Sequence, residues 1–307
     1  MSFPPTWLGA ALLAFTALPI PLASIPLAHA QEAIAAPVAS AQAHPALWKV
    51  SNRHTTIWLF GTIHVLPEQI DWYAGPVSKA FDAAQEVVTE IPIDDTAQAP
   101  GVILGKSLRE DGKSLRDTLD EPHRKAYEAA LAAIGLPAEA FDRNDAWFAA
   151  LMLTLIPLKT AGYNTESGVD AQVGVRARAR HMTNHALETV EGQIDLFDDL
   201  PEATQRAYLA EVVEALPDVK GDVDKMVAAW KGGDAEKLAA LLNEDESDPY
   251  IRKVLITDRN ATWAKWLKAR LAKPGVVFVA VGAGHLAGPG SVQEQLAAAG
   301  IVATRVQ

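Results

Sequence analysis

Two distant stretches of this chain share one design. IWLFGTIH (57–64) and VVFVAVGAGH (276–285) each run apolar, largely β-favouring residues into a glycine, and each sets a histidine three positions after it. A glycine at a strand end lets the chain turn sharply and lets another group approach the backbone. In open α/β sheets the carboxyl ends of the strands are where ligands sit. His64 and His285 are therefore expected at one edge of one sheet, despite the residues between them.

The remaining pattern says how such a sheet is built. LWKV, the polar SNRHT and TIWLF read as a β-hairpin. PVSKAFDAAQE (76–86) reads as a helix with Pro76 in its first turn, and VVTEIPI (87–93) as a β-branched strand. The middle is helical: EPHRKAYEAALAAIG (121–135) starts at a proline and stops at a glycine, and NDAWFAALMLTLIPL is apolar enough for a buried helix. GVDAQVGVRARARHM reads as a further helix, HALETV (185–190) as a short strand, and helices fill the chain from Pro201 to about Leu242. One long helix is expected through YIRKVLITDRNATWAKWLKARL, then strand, glycine turn, helix and a terminal strand in IVATRVQ. These elements predict a single α/β domain over 47–307. Its mixed sheet gathers N- and C-terminal strands, and a central helical block covers it.

The N-terminus reads as a processing signal. Trp7 to Leu27 is almost wholly apolar, with Pro19, Pro21 and Pro26, and closes on Ala28-His29-Ala30, which predicts a signal peptide over 1–30 cleaved after Ala30. The n-region carries no Lys or Arg, so an uncleaved anchor is the rival, and the prolines argue against it. Residues 31–46 are Ala/Pro-rich and read as a flexible leader; no membrane span is expected after cleavage.

Of the 307 residues, 49% are hydrophobic and 21% charged, the composition of a folded globular chain. A net charge of −11 argues against a nucleic-acid partner, and RARAR (176–180) reads as the solvated face of a helix. There is no cysteine, which excludes disulfides, thiolate ligands and a thiol nucleophile. With the signal, this predicts a periplasmic or secreted protein.

Chemistry gathers at few positions. Glu90 lies in an apolar strand, where an unpaired carboxylate is costly, so it needs a metal or an arginine. Two imidazoles and a carboxylate suit Mn, Fe, Co or Zn. A strand-end histidine is more often a satisfied polar residue, so spacing alone leaves the metal reading open. In LETVEGQ (187–193), Glu188 reads as a site residue, while Glu191 reads equally as a helix cap or a site residue and Thr189 suits the cap. Arg259-Asn260 lies in a helix, where the arginine either faces solvent or pairs with Glu90 or Glu188. Asp170 of GVD caps a helix or binds. The glycines Gly282, Gly284 and Gly288 have the wrong spacing for a dinucleotide fingerprint, and no G-x-S-x-G occurs. The tryptophans at 147, 230, 263 and 266 fall on helical faces and read as core.

GTIHVLP, TEIP, GVD, LETVEGQIDLFDDLP, DRNATWA and VGAGHLAG, in this order, resemble the TraB/GumN family, related to the Tiki metalloproteases. The resemblance runs from about Trp48 to the C-terminus. It implies a metal held by His64, Glu90 and His285, with Mn or Co expected and Zn or Fe as alternatives. Arg259 and Asn260 correspond to the family's positioning pair. The expectation is a periplasmic metal-dependent hydrolase acting on a peptide or protein, with Glu188 as an additional ligand or general base. The alternative is a non-catalytic periplasmic protein that captures haem, another small ligand or a peptide at the same place.

Overall fold

The expected hairpin opens the domain. In the computed structural model, which describes residues 42–67, 70–243 and 249–307, β1 (Leu47–Ser51) pairs antiparallel with β2 (Thr55–Thr62). The Asn52 side-chain carbonyl closes the turn by accepting from the His54 and Thr55 amides, both at 2.9 Å. The signal peptide and most of the leader fall outside the described residues. The leader's last residues, 42–46, pack onto the domain: Ala43 is buried, and its amide donates to the Asp71 carbonyl.

Four further long-range pairings complete the central sheet. β4 (Glu86–Thr89), β6 (Thr183–Ala186) and β7 (Gly275–Gly282) join β2 in parallel, and β8 (Thr304–Arg305) pairs antiparallel with β1. The spatial order is β6-β4-β7-β2-β1-β8, a mixed sheet built from both ends of the chain. A separate ribbon of β3 (Leu66–Pro67) and β5 (Tyr163–Asn164) carries the chain past His64.

The strands bury both faces, as parallel strands do. Val277, Val279 and Val281 of β7 point to one face, with Ile57 and Leu59 of β2. Phe278 and Ala280 point to the other, with Phe60. Against the Phe278 face lie α1 (Gly75–Ala83), α4 (Ala146–Thr160), α5 (Val169–Ala179) and α6 (Val190–Asp198). The outer helices α2 (Ala99–Lys106), α3 (Glu121–Ala133), α7 (Glu202–Ala215) and α8 (Val219–Lys231) extend the same core. The central α4 is buried nearly all round, which its unbroken apolar sequence requires. The Val279 face is covered instead by α9 (Ala235–Asn243), α11 (Asp258–Arg270) and α12 (Val292–Ala298). The helical block thus covers mainly one face, and the C-terminal helices cover the other. No helix among the described residues is long and apolar enough to cross a membrane.

Three local expectations shift. The strand in VVTEIPI stops at Thr89, so Glu90 sits just beyond it. The short strand near 185 lies earlier, at Thr183–Ala186, because Val190 already begins α6. The long C-terminal helix is interrupted: α10 (Pro249–Arg252) passes into a π-helical turn, Lys253–Thr257, before α11. RARAR keeps the solvated helix face expected of it, with Arg178 and Arg180 exposed, and its arginines also make contacts: Arg176 stacks 3.8 Å from the Tyr73 ring centroid, Arg178 donates to the Ile93 carbonyl, and Arg180 ties to Phe81 and Asp82.

Candidate functional site

Register brings the two Gly-x-x-His stretches together. β2 and β7 are parallel neighbours that end side by side, with Gly61 opposite Val281 and Thr62 opposite Gly282. Gly61 is required by this approach, since a Cβ there would meet the Ala283 Cβ at 2.9 Å. His64 follows β2, while His285 rides a 3-10 turn, Ala283–Leu286, directly after β7. On the other side of β7, Glu90 follows β4, and the Glu188 amide donates to the Glu90 carbonyl at 2.8 Å. Every one of these residues therefore lies at the carboxyl edge of the parallel strands.

Asp170 fixes His64. Its Oδ2 lies 2.7 Å from His64 Nδ1, and its Oδ1 accepts from the Thr62 hydroxyl at 2.5 Å. Gly168 makes this possible by close packing: a Cβ on it would fall 2.2 Å from the His64 carbonyl oxygen. The Val169 amide donates to the Ile63 carbonyl and seats the first turn of α5 there. Asp170 therefore binds rather than caps.

Asn260 fixes His285. The Asn260 amide nitrogen donates to the Gly290 carbonyl, so its oxygen faces His285 Nδ1 at 2.7 Å and can only accept. His285 thus carries its proton on Nδ1 and presents a bare Nε2. Burial, reinforced by the nearby Arg259 and His64, holds its pKa well below the usual imidazole range.

Arg259 occupies the middle. Its Nε and Nη2 make a fork onto Glu188, at 2.8 and 2.9 Å. Nη2 also donates to Glu90 Oε2 at 2.7 Å, and Nη1 donates to the Leu255 carbonyl and to His285 Nε2, at 3.1 and 3.2 Å. These contacts use every N–H that a guanidinium has. Glu188 and Glu90 together outweigh the cost of burying it, so its pKa lies above the usual value. Of the two pairings open to Arg259, the structure shows both.

Glu90 is 1% exposed, and burial pushes its pKa up against the pull of Arg259. Its contacts are all donors: the Gly282 amide at 2.7 Å, Gln193 at 2.8 Å, and Arg259. That arrangement holds a carboxylate. Glu188 accepts from Trp263 Nε1 at 2.9 Å, and the Trp263 ring lies 4.5 Å from that of His285.

His64, Glu90, Glu188, Arg259, Asn260 and His285 thus share one region; His64 acts electrostatically on both Glu90 and His285. Asp170, Gln193 and Trp263 complete it. Trp263 stands one helical turn after Arg259, a spacing that places both on one face. Gln193 carries no comparable signal. Glu191 is exposed on α6, whose cap is the Thr189 hydroxyl accepting from the Gly192 amide at 3.0 Å. A cleft of about 220 Å³ reaches Glu90 and Asp170 between Ile91, Ile93, Gly174 and Val175.

Imidazole nitrogen and carboxylate oxygen are donor types that metal centres use. Each imidazole has Nδ1 tied to an oxygen, the kind of bond that orients a ligating histidine. As they stand, however, no three acidic or histidine side chains among the described residues are gathered to hold an ion. Arg259 lies among them, on His285 Nε2 and on Glu90.

Comparison with known proteins follows the same lines. The chain is 24% identical over 245 residues to the uncharacterized protein YbaP of Escherichia coli (strain K12), covering 80% of this chain and 88% of that one. YbaP of Shigella flexneri matches equally, and an uncharacterized protein of Treponema pallidum (strain Nichols) is 20% identical over 80% of this chain and 78% of its own. No solved structure matches. Residues 46–305 match the TraB/PrgY/gumN family as a whole, and the chain belongs to that family.

Proposed function

We propose that this protein is a metal-dependent hydrolase acting on amide bonds of peptides or proteins. The observation that carries the reading is the matched anchoring of two imidazoles, His64 on Asp170 and His285 on Asn260, at adjacent strand ends. His64, Glu90 and His285 would hold a divalent ion, Mn or Co before Zn or Fe, which would supply Lewis acidity toward a carbonyl. The chain's own groups do the rest. Asp170 and Asn260 hold the rings in one tautomer and orientation. Glu90 brings a buried carboxylate, and Glu188, whose side chain is 16% exposed, stands at the rim, where it can accept a proton from water. Arg259 neutralises the carboxylates and offers N–H groups to a developing oxyanion.

The cleft supports a substrate that enters by one side chain. Its volume of about 220 Å³ is below the roughly 300–1,000 Å³ of pockets for whole small ligands. Its Ile91, Ile93 and Val175 wall favours an apolar group, and no observation favours haem. The apolar N-terminal stretch and the lack of cysteine support a periplasmic site of action.

Calorimetric titration of the metal-stripped protein with Mn²⁺, Co²⁺ and Zn²⁺ tests the reading, beside a His64→Ala/His285→Ala double variant. Stoichiometric binding lost in the double variant, with cleavage in a peptide library that depends on the ion, is the expected result. A wild type that binds none of the three ions overturns it.

A further inference from the structure

Arg259 occupies atoms that an ion would need. Its Nη2 donates to Glu90 Oε2 and its Nη1 to His285 Nε2, so neither atom can ligate while the guanidinium is seated there. Arg259 is also shared unevenly. Its fork onto Glu188 uses Nε and Nη2 in the geometry that suits a guanidinium best. Its reach to His285 is the longest of its contacts, at 3.2 Å, and points at the one ring atom with a lone pair to give.

We propose that Arg259 is an internal placeholder for the metal ion, seated on His285 Nε2 and Glu90 until an ion displaces it toward Glu188. This deepens the metal-dependent reading and rests on it. In the ion-free state the guanidinium satisfies atoms that would otherwise be orphaned in the interior. Entry of the ion breaks the bonds to His285 and Glu90 and keeps the fork on Glu188, which lies at the partly exposed rim. Trp263 lines both positions, since its ring is 4.9 Å from the guanidinium and 4.5 Å from the His285 ring.

The proposal makes two variants move in opposite directions. Arg259→Met removes the competitor, so it tightens Mn²⁺ binding by about tenfold or more while lowering the melting temperature of the ion-free protein. Glu188→Gln removes the seat to which Arg259 withdraws, so it weakens Mn²⁺ binding. A merely structural role would weaken binding in both. The measurement is calorimetric Mn²⁺ titration of the purified, metal-stripped chain, with thermal unfolding in the absence and presence of the ion. If Arg259→Met does not fold, Arg259→Lys, which keeps the charge but lacks the fork, must still bind Mn²⁺ more tightly than wild type. Wild-type binding with equal or weaker binding in the arginine variants overturns the placeholder and leaves the metal-dependent reading standing. Binding in neither wild type nor variants overturns both.

Discussion

Strand β4 and helix α11 meet at both their ends through a glutamate and an arginine, and the two meetings differ. At the start of the strand, Glu86 takes a simple fork from Arg270, at 2.9 and 2.6 Å, with its side chain 23% exposed. Just past the other end, Glu90 shares Arg259 with Glu188 in full burial. Hydrogen bonds from Arg270 hold the Glu86 carboxyl below its usual range, whereas burial pushes Glu90 upward. The same residue pair therefore acts as a fastener at one end. At the other it is a shared cluster, in which one guanidinium serves two carboxylates and a histidine, and that sharing distinguishes the carboxyl edge of the strands.

Removing Glu90 should break this contrast most severely. Glu90→Ala leaves the Gly282 amide, Gln193 and one Arg259 N–H without their acceptor, which costs about 3 kcal/mol or more in denaturant unfolding. A loss no larger than that of Glu86→Gln would erase the distinction between the two ends. Next comes Gly168→Ala, whose Cβ would be 2.2 Å from the His64 carbonyl oxygen. The backbone shift it forces costs about 1–3 kcal/mol and draws His64 from Asp170, which lowers Mn²⁺ affinity as well as the melting temperature.

Glu86→Gln should cost about 1–2 kcal/mol near neutral pH. Its sign with pH follows from the depressed carboxyl. The stabilisation is fully present above the unfolded glutamate value of about 4.3 and disappears as pH falls through the lower folded value. Unfolding measured from pH 7 down to pH 3 should show a shallower acid slope in the variant than in wild type. The smallest effect belongs to Glu191→Ala, within about 0.5 kcal/mol and with Mn²⁺ binding unchanged, because Glu191 is exposed on α6. Altered binding there would shift the site assignment from Glu188 to its neighbour.

How much of this was legible before folding depends on range. The apolar runs at 57–60 and 276–281 announced buried strands, and a glutamate beside Val87 and Val88 announced a need for a partner. Arg259 could be paired with Glu90 or Glu188 on charge alone. The partner of His64 could not be found that way: Asp170 arrives by the docking of α5, which depends on the absence of a side chain at Gly168. The π-helical turn at Lys253–Thr257 was also hidden, since its residues read as ordinary helix. It sets the entry of α11 and hence the face on which Arg259 and Trp263 point inward. Local pattern determines the elements; the fit between elements decides which polar atoms meet.

The contact of Gly61 with Ala283 has a consequence for how the protein comes into being. The first motif is synthesised early, and the strand that completes it is among the last elements to leave the ribosome. Pairing of that kind has high contact order and is slow to form. A nascent or truncated chain that ends before Gly275 lacks His285 and the strand that supports it, so the proposed ion site should be absent from it. The two histidines are thereby kept apart until the last strands are in place.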